Sequence, residues 1–204
     1  MCCWLVTAPH VDCLFTDINE CASTSHGCGH QCMNVEGSYT CACRDGYALG
    51  SDNRTCSVSC GGRLTGTSGS FQTPDWPERY PQLNFRCVWT IENLTAEQSV
   101  RLEIDDSAYG INGRPPCSND YIEFFNGTES TASSLGKFCR LDAPEPITVT
   151  AGGARVVFQG RRNPSRPRSR VGVKVYYTIL GEDFIFKYSK MYGKIKNYHY
   201  PNRK

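Results

Sequence analysis

Six cysteines, Cys21, Cys28, Cys32, Cys41, Cys43 and Cys56, fall between Asp17 and Cys56, among few aliphatic residues and many Gly, Asn and Ser. A segment so short and so poor in apolar side chains cannot build a stabilising core. Small modules of this kind are held by cross-links, which persist in oxidising compartments. Spacing alone leaves the pairing of the six open. The whole chain carries 13 cysteines in 204 residues, which extends the same argument beyond this segment. Its net charge is only +2, so any affinity for polyanions must come from local clusters.

The chain divides into an N-terminal segment (1–16), the cysteine-dense segment (17–56), a linker (57–59), a longer segment (60–178) and a basic, aromatic tail (179–204). No apolar run approaches the roughly 18 residues that span a bilayer. The stretch from Met1 to Val6 is apolar, but no Lys or Arg precedes it, and Pro9, His10 and Asp12 interrupt it. That is a poor signal peptide, so secretion is inferred from the modules, and a partial chain or an incorrect start is expected. The longer segment reads as all-β. Val100, Leu102 and Ile104 alternate with Arg101 and Glu103, Val171, Val173 and Val175 repeat the pattern, and Ala154–Phe158 is a third apolar strand. Tyr121–Phe125 runs into Asn126-Gly127, a two-residue hairpin signal. No stretch of this segment sustains a helical period, and short strands with turn residues between them favour a sandwich.

In order and gaps the six cysteines closely resemble the EGF-like family, with Gly46-Tyr47 matching the turn of its last loop. Asp17-Ile18-Asn19-Glu20 before the first cysteine, with Asn34 and Tyr39 between the third and fourth, resembles the calcium-binding subclass. The resemblance implies the disulfides Cys21–Cys32, Cys28–Cys41 and Cys43–Cys56. It also implies a Ca2+ site with carboxylates from Asp17 and Glu20, the amide oxygen of Asn34, and backbone carbonyls of Ile18, Val35 and Ser38. The chemistry agrees, because calcium is a hard cation wanting about six to eight oxygens. The ion would pin the N-terminal linker to the module, a mechanical role rather than a catalytic one.

From Cys60 the chain resembles a CUB domain. Cys60-Gly61-Gly62 is followed by Gly66, Gly69 and Phe71, Pro74-Asp75-Trp76-Pro77, Tyr80-Pro81, and Cys87-Val88-Trp89-Thr90-Ile91. Cys117, Asp120-Tyr121, Leu135-Gly136-Lys137-Phe138-Cys139 and Gly172-Val173 with Tyr176-Tyr177 complete the match. The resemblance implies an antiparallel β-sandwich with disulfides Cys60–Cys87 and Cys117–Cys139. Together the readings give a mainly β fold class: a small disulfide-rich EGF-like module plus this sandwich. Many CUB domains also bind calcium through a Glu before the third cysteine and two later Asp residues. Asp120 matches the first Asp. The Glu position falls on Gly110 or Asn112, and the last Asp lies near Gln159-Gly160. A lone carboxylate cannot hold calcium against hydration, so no ion is expected here. Asp105 and Asp106, which could substitute, read as solvated turn residues.

Arg161, Arg162, Arg166, Arg168 and Arg170, interleaved with Pro164 and Pro167, mark a loop, since proline cannot pair in a central strand. Guanidinium groups favour bidentate contact with sulfate or carboxylate, so this loop is a candidate contact for sulfated glycosaminoglycan. A solvated loop that keeps an edge soluble is the competing reading. Asn53, Asn93 and Asn126 head N-glycosylation sequons, Asn126 being the most accessible if it lies in a hairpin turn. The tail mixes Lys with Tyr and Phe and reads as disordered. Of the four histidines, His26 and His30 lie in the small cysteine loops and read as surface residues rather than zinc ligands. No catalytic constellation is present in the sequence. EGF–CUB neighbours occur in complement-initiating serine proteases, tolloid-like astacin proteases and secreted CUB-and-EGF scaffold proteins, where they recognise partners or mediate dimerisation. The expectation is therefore a non-catalytic, calcium-dependent extracellular protein-interaction pair. A glycosaminoglycan-binding matrix protein is the alternative. Nucleic-acid binding and a membrane span are not expected.

Overall fold

A computed structural model describes residues 17–92, 94–95, 97–141, 143–150, 152–162 and 171–181. Asn93, Arg166, Arg168, Arg170, Cys2, Cys3, Cys13 and the tail from 182 lie outside the described residues. The described residues cluster into two units, 17–44 with 49–57, and 45–48 with those from 58 to 181. The turn at 45–48 joins the second unit because Gly46 accepts from the Ser59 amide (2.8 Å) and the Tyr47 hydroxyl donates to Asp75.

The first unit has two single 3-10 turns, Glu20–Ala22 and Thr24–His26, then a hairpin of β1 (Gln31–Val35) and β2 (Ser38–Ala42). A short pair, β3 (Tyr47–Leu49) with β4 (Cys56–Val58), follows in the chain. Among its described residues Cys41 is the only buried apolar one. Cross-links take the place of the missing core, through Cys21–Cys32, Cys28–Cys41 and Cys43–Cys56, the pairs the resemblance implies. Each closes a short loop, worth about 3 kcal/mol by chain entropy.

The second unit is a two-sheet sandwich. Its strands are β5 (Gly61–Leu64), β6 (Ser68–Gln72), β7 (Phe85–Ile91), β8 (Ser99–Ile104), β9 (Tyr121–Asn126), β10 (Ser133–Phe138), β11 (Ile147–Val149), β12 (Ala154–Gly160) and β13 (Lys174–Leu180). One sheet runs β10-β9-β12-β7-β5 and the other β11-β8-β13-β6. Alternation fills the space between them. Cys87, Trp89 and Ile91 point inward from β7, Val100, Leu102 and Ile104 from β8, and Val175 and Tyr177 from β13. The central strand β12 has no polar face to spare. Val156, Val157 and Phe158 are all buried, and Arg155 lays its guanidinium over the Phe125 ring at 4.1 Å. Cys60–Cys87 and Cys117–Cys139 staple this unit.

Three details depart from the sequence reading. Asn126 does not turn a two-residue hairpin: it is the last residue of β9, paired with Ser133 on one side and Ala154 on the other, and residues 127–132 make the connection. The strand signal simply extends one residue further than the turn signal, because both neighbours continue to pair. The sandwich is not wholly antiparallel, since edge strand β5 runs parallel to β7. The closing strand starts at Lys174 rather than Val171 and continues past 178 to Leu180, where Ile179 pairs with Val100 and its amide donates to Thr67 (2.7 Å). Among the described residues no helix is long and apolar enough to cross a membrane.

Candidate calcium centre

The tight turn between β1 and β2 sets Val35 opposite Ser38 and Asn34 opposite Tyr39, with Gly37 at φ 76° completing the reversal. Asp17 reaches this turn across the sequence. Its Oδ1 accepts from the Gly37 amide (2.7 Å), and its Oδ2 accepts from the Asn34 side-chain amide. The 3-10 turn that carries Glu20 packs against both β1 and β2. Glu20 Oε2 is shielded from solvent and has no hydrogen-bond partner. A shielded carboxylate oxygen without a partner is costly, and a cation is what would satisfy it. The residues present therefore fit a calcium ion. Turning the Asn34 amide over exchanges its N–H for its carbonyl oxygen, which then faces the same space as the Asp17 carboxylate.

The histidines are engaged elsewhere. His26 Nδ1 accepts from the Cys28 amide (3.0 Å) and His30 Nδ1 from the Arg44 amide (3.3 Å). Each stands near two cysteine sulfurs in a ligand-like cluster, His26 with Cys28 and Cys32, His30 with Cys43 and Cys56. All four sulfurs are in disulfides, which offer no thiolate to a metal. Both rings are half-buried, so they support the loops rather than lying loose on the surface.

In the second unit, Asp105 caps the short turn Asp106–Ala108 and accepts from Ser107 and from the Tyr176 hydroxyl (3.1 Å). The Ser107 hydrogen bond, with Tyr176 and Lys174 assisting, holds its carboxyl below the usual range. It is a capping residue, while Asp106 is exposed. Asp120 is different, being only 4% exposed. The Tyr80 hydroxyl donates to its Oδ2 (2.9 Å) and the Arg161 amide to its Oδ1 (2.6 Å). The Asn112 amide donates to the Tyr80 oxygen (3.0 Å), the same oxygen whose hydrogen goes to Asp120. Gly110 bridges Gly172. Gln159 and Gly160 are still inside β12, so Arg161 is the first residue of the following loop to reach Asp120. Arg162 follows, its amide held by Asn84 (2.8 Å). Of the sequon residues, Asn53 is exposed, whereas half-buried Asn126 accepts from the Thr150 amide (3.4 Å). Residues 60–177 match the CUB domain model and residues 17–56 the calcium-binding EGF domain model.

The chain belongs to the CUB family.

It is 37% identical to mouse Tolloid-like protein 2 over 153 residues, 74% of this chain and 15% of that protein. The chain thus spans a small part of that relative's length. Among solved structures it resembles the CUB1-EGF-CUB2 domain of human MASP-1/3, with TM-score 0.51, 33% identity, and coverage of 81% of this chain and 58% of that one. It also resembles the MASP-1 CUB2 domain bound to Ca2+, with TM-score 0.50, 26% identity, and coverage of 59% and 99%. The modules found here, a calcium-binding EGF domain followed by a CUB domain, are not catalytic domains.

Proposed function

We propose that this chain is an extracellular, calcium-dependent protein-interaction pair that performs no catalysis itself and belongs to the recognition region of a larger secreted protease or scaffold protein. The observation that carries the reading is the first unit's donor set: Asp17 drawn onto the Asn34 turn, with the Glu20 oxygen left without a partner. Asp17, Glu20 and Asn34 would hold Ca2+ with side-chain oxygens, and Ile18, Val35 and Ser38 with backbone carbonyls. The bound ion supplies charge neutralisation and rigidity. It fixes the segment before Cys21 against the hairpin and so sets the direction from which the preceding chain arrives. The five disulfides support an extracellular setting, since such bonds persist in oxidising compartments. The partner in this reading is a protein, the class of ligand that the resemblance to interaction modules of secreted proteases implies.

Titration calorimetry of the full chain with calcium should give one binding event, in the range of about 10⁻⁴–10⁻³ M typical of extracellular modules. Asp17→Ala or Glu20→Ala should abolish it. Binding that survives both substitutions would remove the proposed site.

A further inference from the structure

We propose that the loop end of the CUB domain is fastened by a hydrogen-bonded clamp centred on Asp120, which stands where many relatives place calcium and makes this end of the domain independent of the ion. The residues present do not fit a cation. Of the three carboxylates in the family pattern only Asp120 is matched; Gly110 or Asn112 stands at the Glu position, and Gln159-Gly160 lies near the last Asp. Among the described residues, hydrogen-bond donors converge on the site. The Arg161 amide and the Tyr80 hydroxyl both point their hydrogens at the Asp120 carboxylate, and the Asn112 amide points at the Tyr80 oxygen. Positive ends of N–H and O–H bonds facing inward suit an anion, and the anion is the aspartate itself.

Burial makes the arrangement obligatory. A carboxylate only 4% exposed is stable when charge-assisted hydrogen bonds replace its water, and both of its oxygens have one. The Tyr80 ring, 1% exposed, is fixed edge-on against Phe158 (centroids 5.3 Å apart), so its hydroxyl cannot swing away. Gly113 lets the chain pass the Asp120 backbone, since any Cβ there would overlap the Asp120 carbonyl. The clamp joins three segments far apart in sequence: the one between β6 and β7 through Tyr80, the one between β8 and β9 through Asn112 and Asp120, and the start of the one after β12 through Arg161. These are the segments a bridging ion would otherwise hold together.

The two clamped amides are themselves the readout. Hydrogen exchange resolved by NMR on the full chain should show Arg161 and Asn112 equally protected in calcium and in excess chelator. The Gly37 amide, bonded to Asp17 in the EGF module, should respond to the ion and serves as the internal control. Tyr80→Phe and Asp120→Asn should each speed exchange at Arg161 and Asn112 on the order of tenfold, as expected from loss of one charge-assisted hydrogen bond. Tyr80→Phe removes a single oxygen from a packed ring, so it decides the matter even if Asp120→Asn fails to fold. Calcium-dependent exchange at Arg161 or Asn112 would overturn the clamp, as would unchanged exchange in Tyr80→Phe. A silent Gly37 beside calcium-indifferent Arg161 and Asn112 would count against the EGF site and leave the clamp standing.

Discussion

At residue 172 the backbone adopts φ 89°, a left-handed conformation that glycine tolerates and side chains resist. A Cβ there would also overlap the Thr73 hydroxyl, which is fully buried and accepts from the Val173 amide (3.0 Å). Gly172 further exchanges two backbone hydrogen bonds with Gly110, at 3.0 and 2.9 Å. Gly172→Ala should therefore cost about 2–4 kcal/mol, the sum of backbone strain and displacement of a buried hydroxyl. Denaturant unfolding of the variant, followed by tryptophan fluorescence, measures this, and a loss below about 1 kcal/mol would mean that the site relaxes freely. The sequence marks Gly172-Val173 as part of the closing pattern, but it holds no sign that Thr73, a hundred residues earlier, is the reason. Asp120 is legible in the same partial way: its kinship with a metal ligand can be read, whereas the Tyr80 hydroxyl and the Arg161 amide that satisfy it appear only once three segments meet.

The strands with strict alternation are the ones a sequence reveals best, and β8 is the clearest case. Val100, Leu102 and Ile104 face the core because a period of two puts them on one side of the pleat. The strand β12 is legible as an apolar run because residues on both of its faces are buried, Val156 and Phe158 in the core and Arg155 and Val157 on the other face, where Arg155 lies over the Phe125 ring. Asn126-Gly127 misleads for a physical reason. Turn propensity is local, and β12 pairs with Asn126 from the other side and holds it in the strand, while the ladder to β10 resumes only at Ser133. The arginine-rich segment after β12 is tied at its start by Asp120 and Asn84 through backbone amides. If its side chains converge on sulfated polysaccharide, Arg166, Arg168 and Arg170 all replaced by Ser should lower the salt needed for elution from heparin and leave folding intact, since exposed charges add little stability. The basic tail would compete, so the comparison uses chains ending after Gly181. Ending at 178 would cut into β13 and expose part of the core around Ile179. Passage of the truncated chain through heparin at physiological salt would reduce the segment to a solvated loop.

Taken whole, the molecule joins two solutions to one problem of size. The cysteine spacing made the first legible, because a segment of this length with so few aliphatic residues cannot be held by an apolar core. The second was legible from motifs spread along residues 60–178, yet its parallel edge strand β5 was not, since direction depends on where the chain enters the sheet and not on which residues form the strand. The two units should fail differently under reduction. The first unit has one buried apolar residue among those described, Cys41, and loses about 3 kcal/mol of loop-closure stabilisation with each of its three disulfides. The second buries Tyr80, Trp89, Leu102, Ile111, Phe124 and Phe158 at 5% exposure or less, an apolar core that should hold the sandwich together after its two disulfides open. Graded reductant with alkylation and peptide mapping should therefore trap Cys21, Cys28, Cys32, Cys41, Cys43 and Cys56 while β-sheet circular dichroism and native tryptophan emission persist. Non-reducing maps should show no linkage between residues 21–56 and residues 60–139. Simultaneous loss of both signals would mean that the sandwich depends on its cross-links as the small module does, and a linkage between the two segments would overturn the division into two independently stapled units.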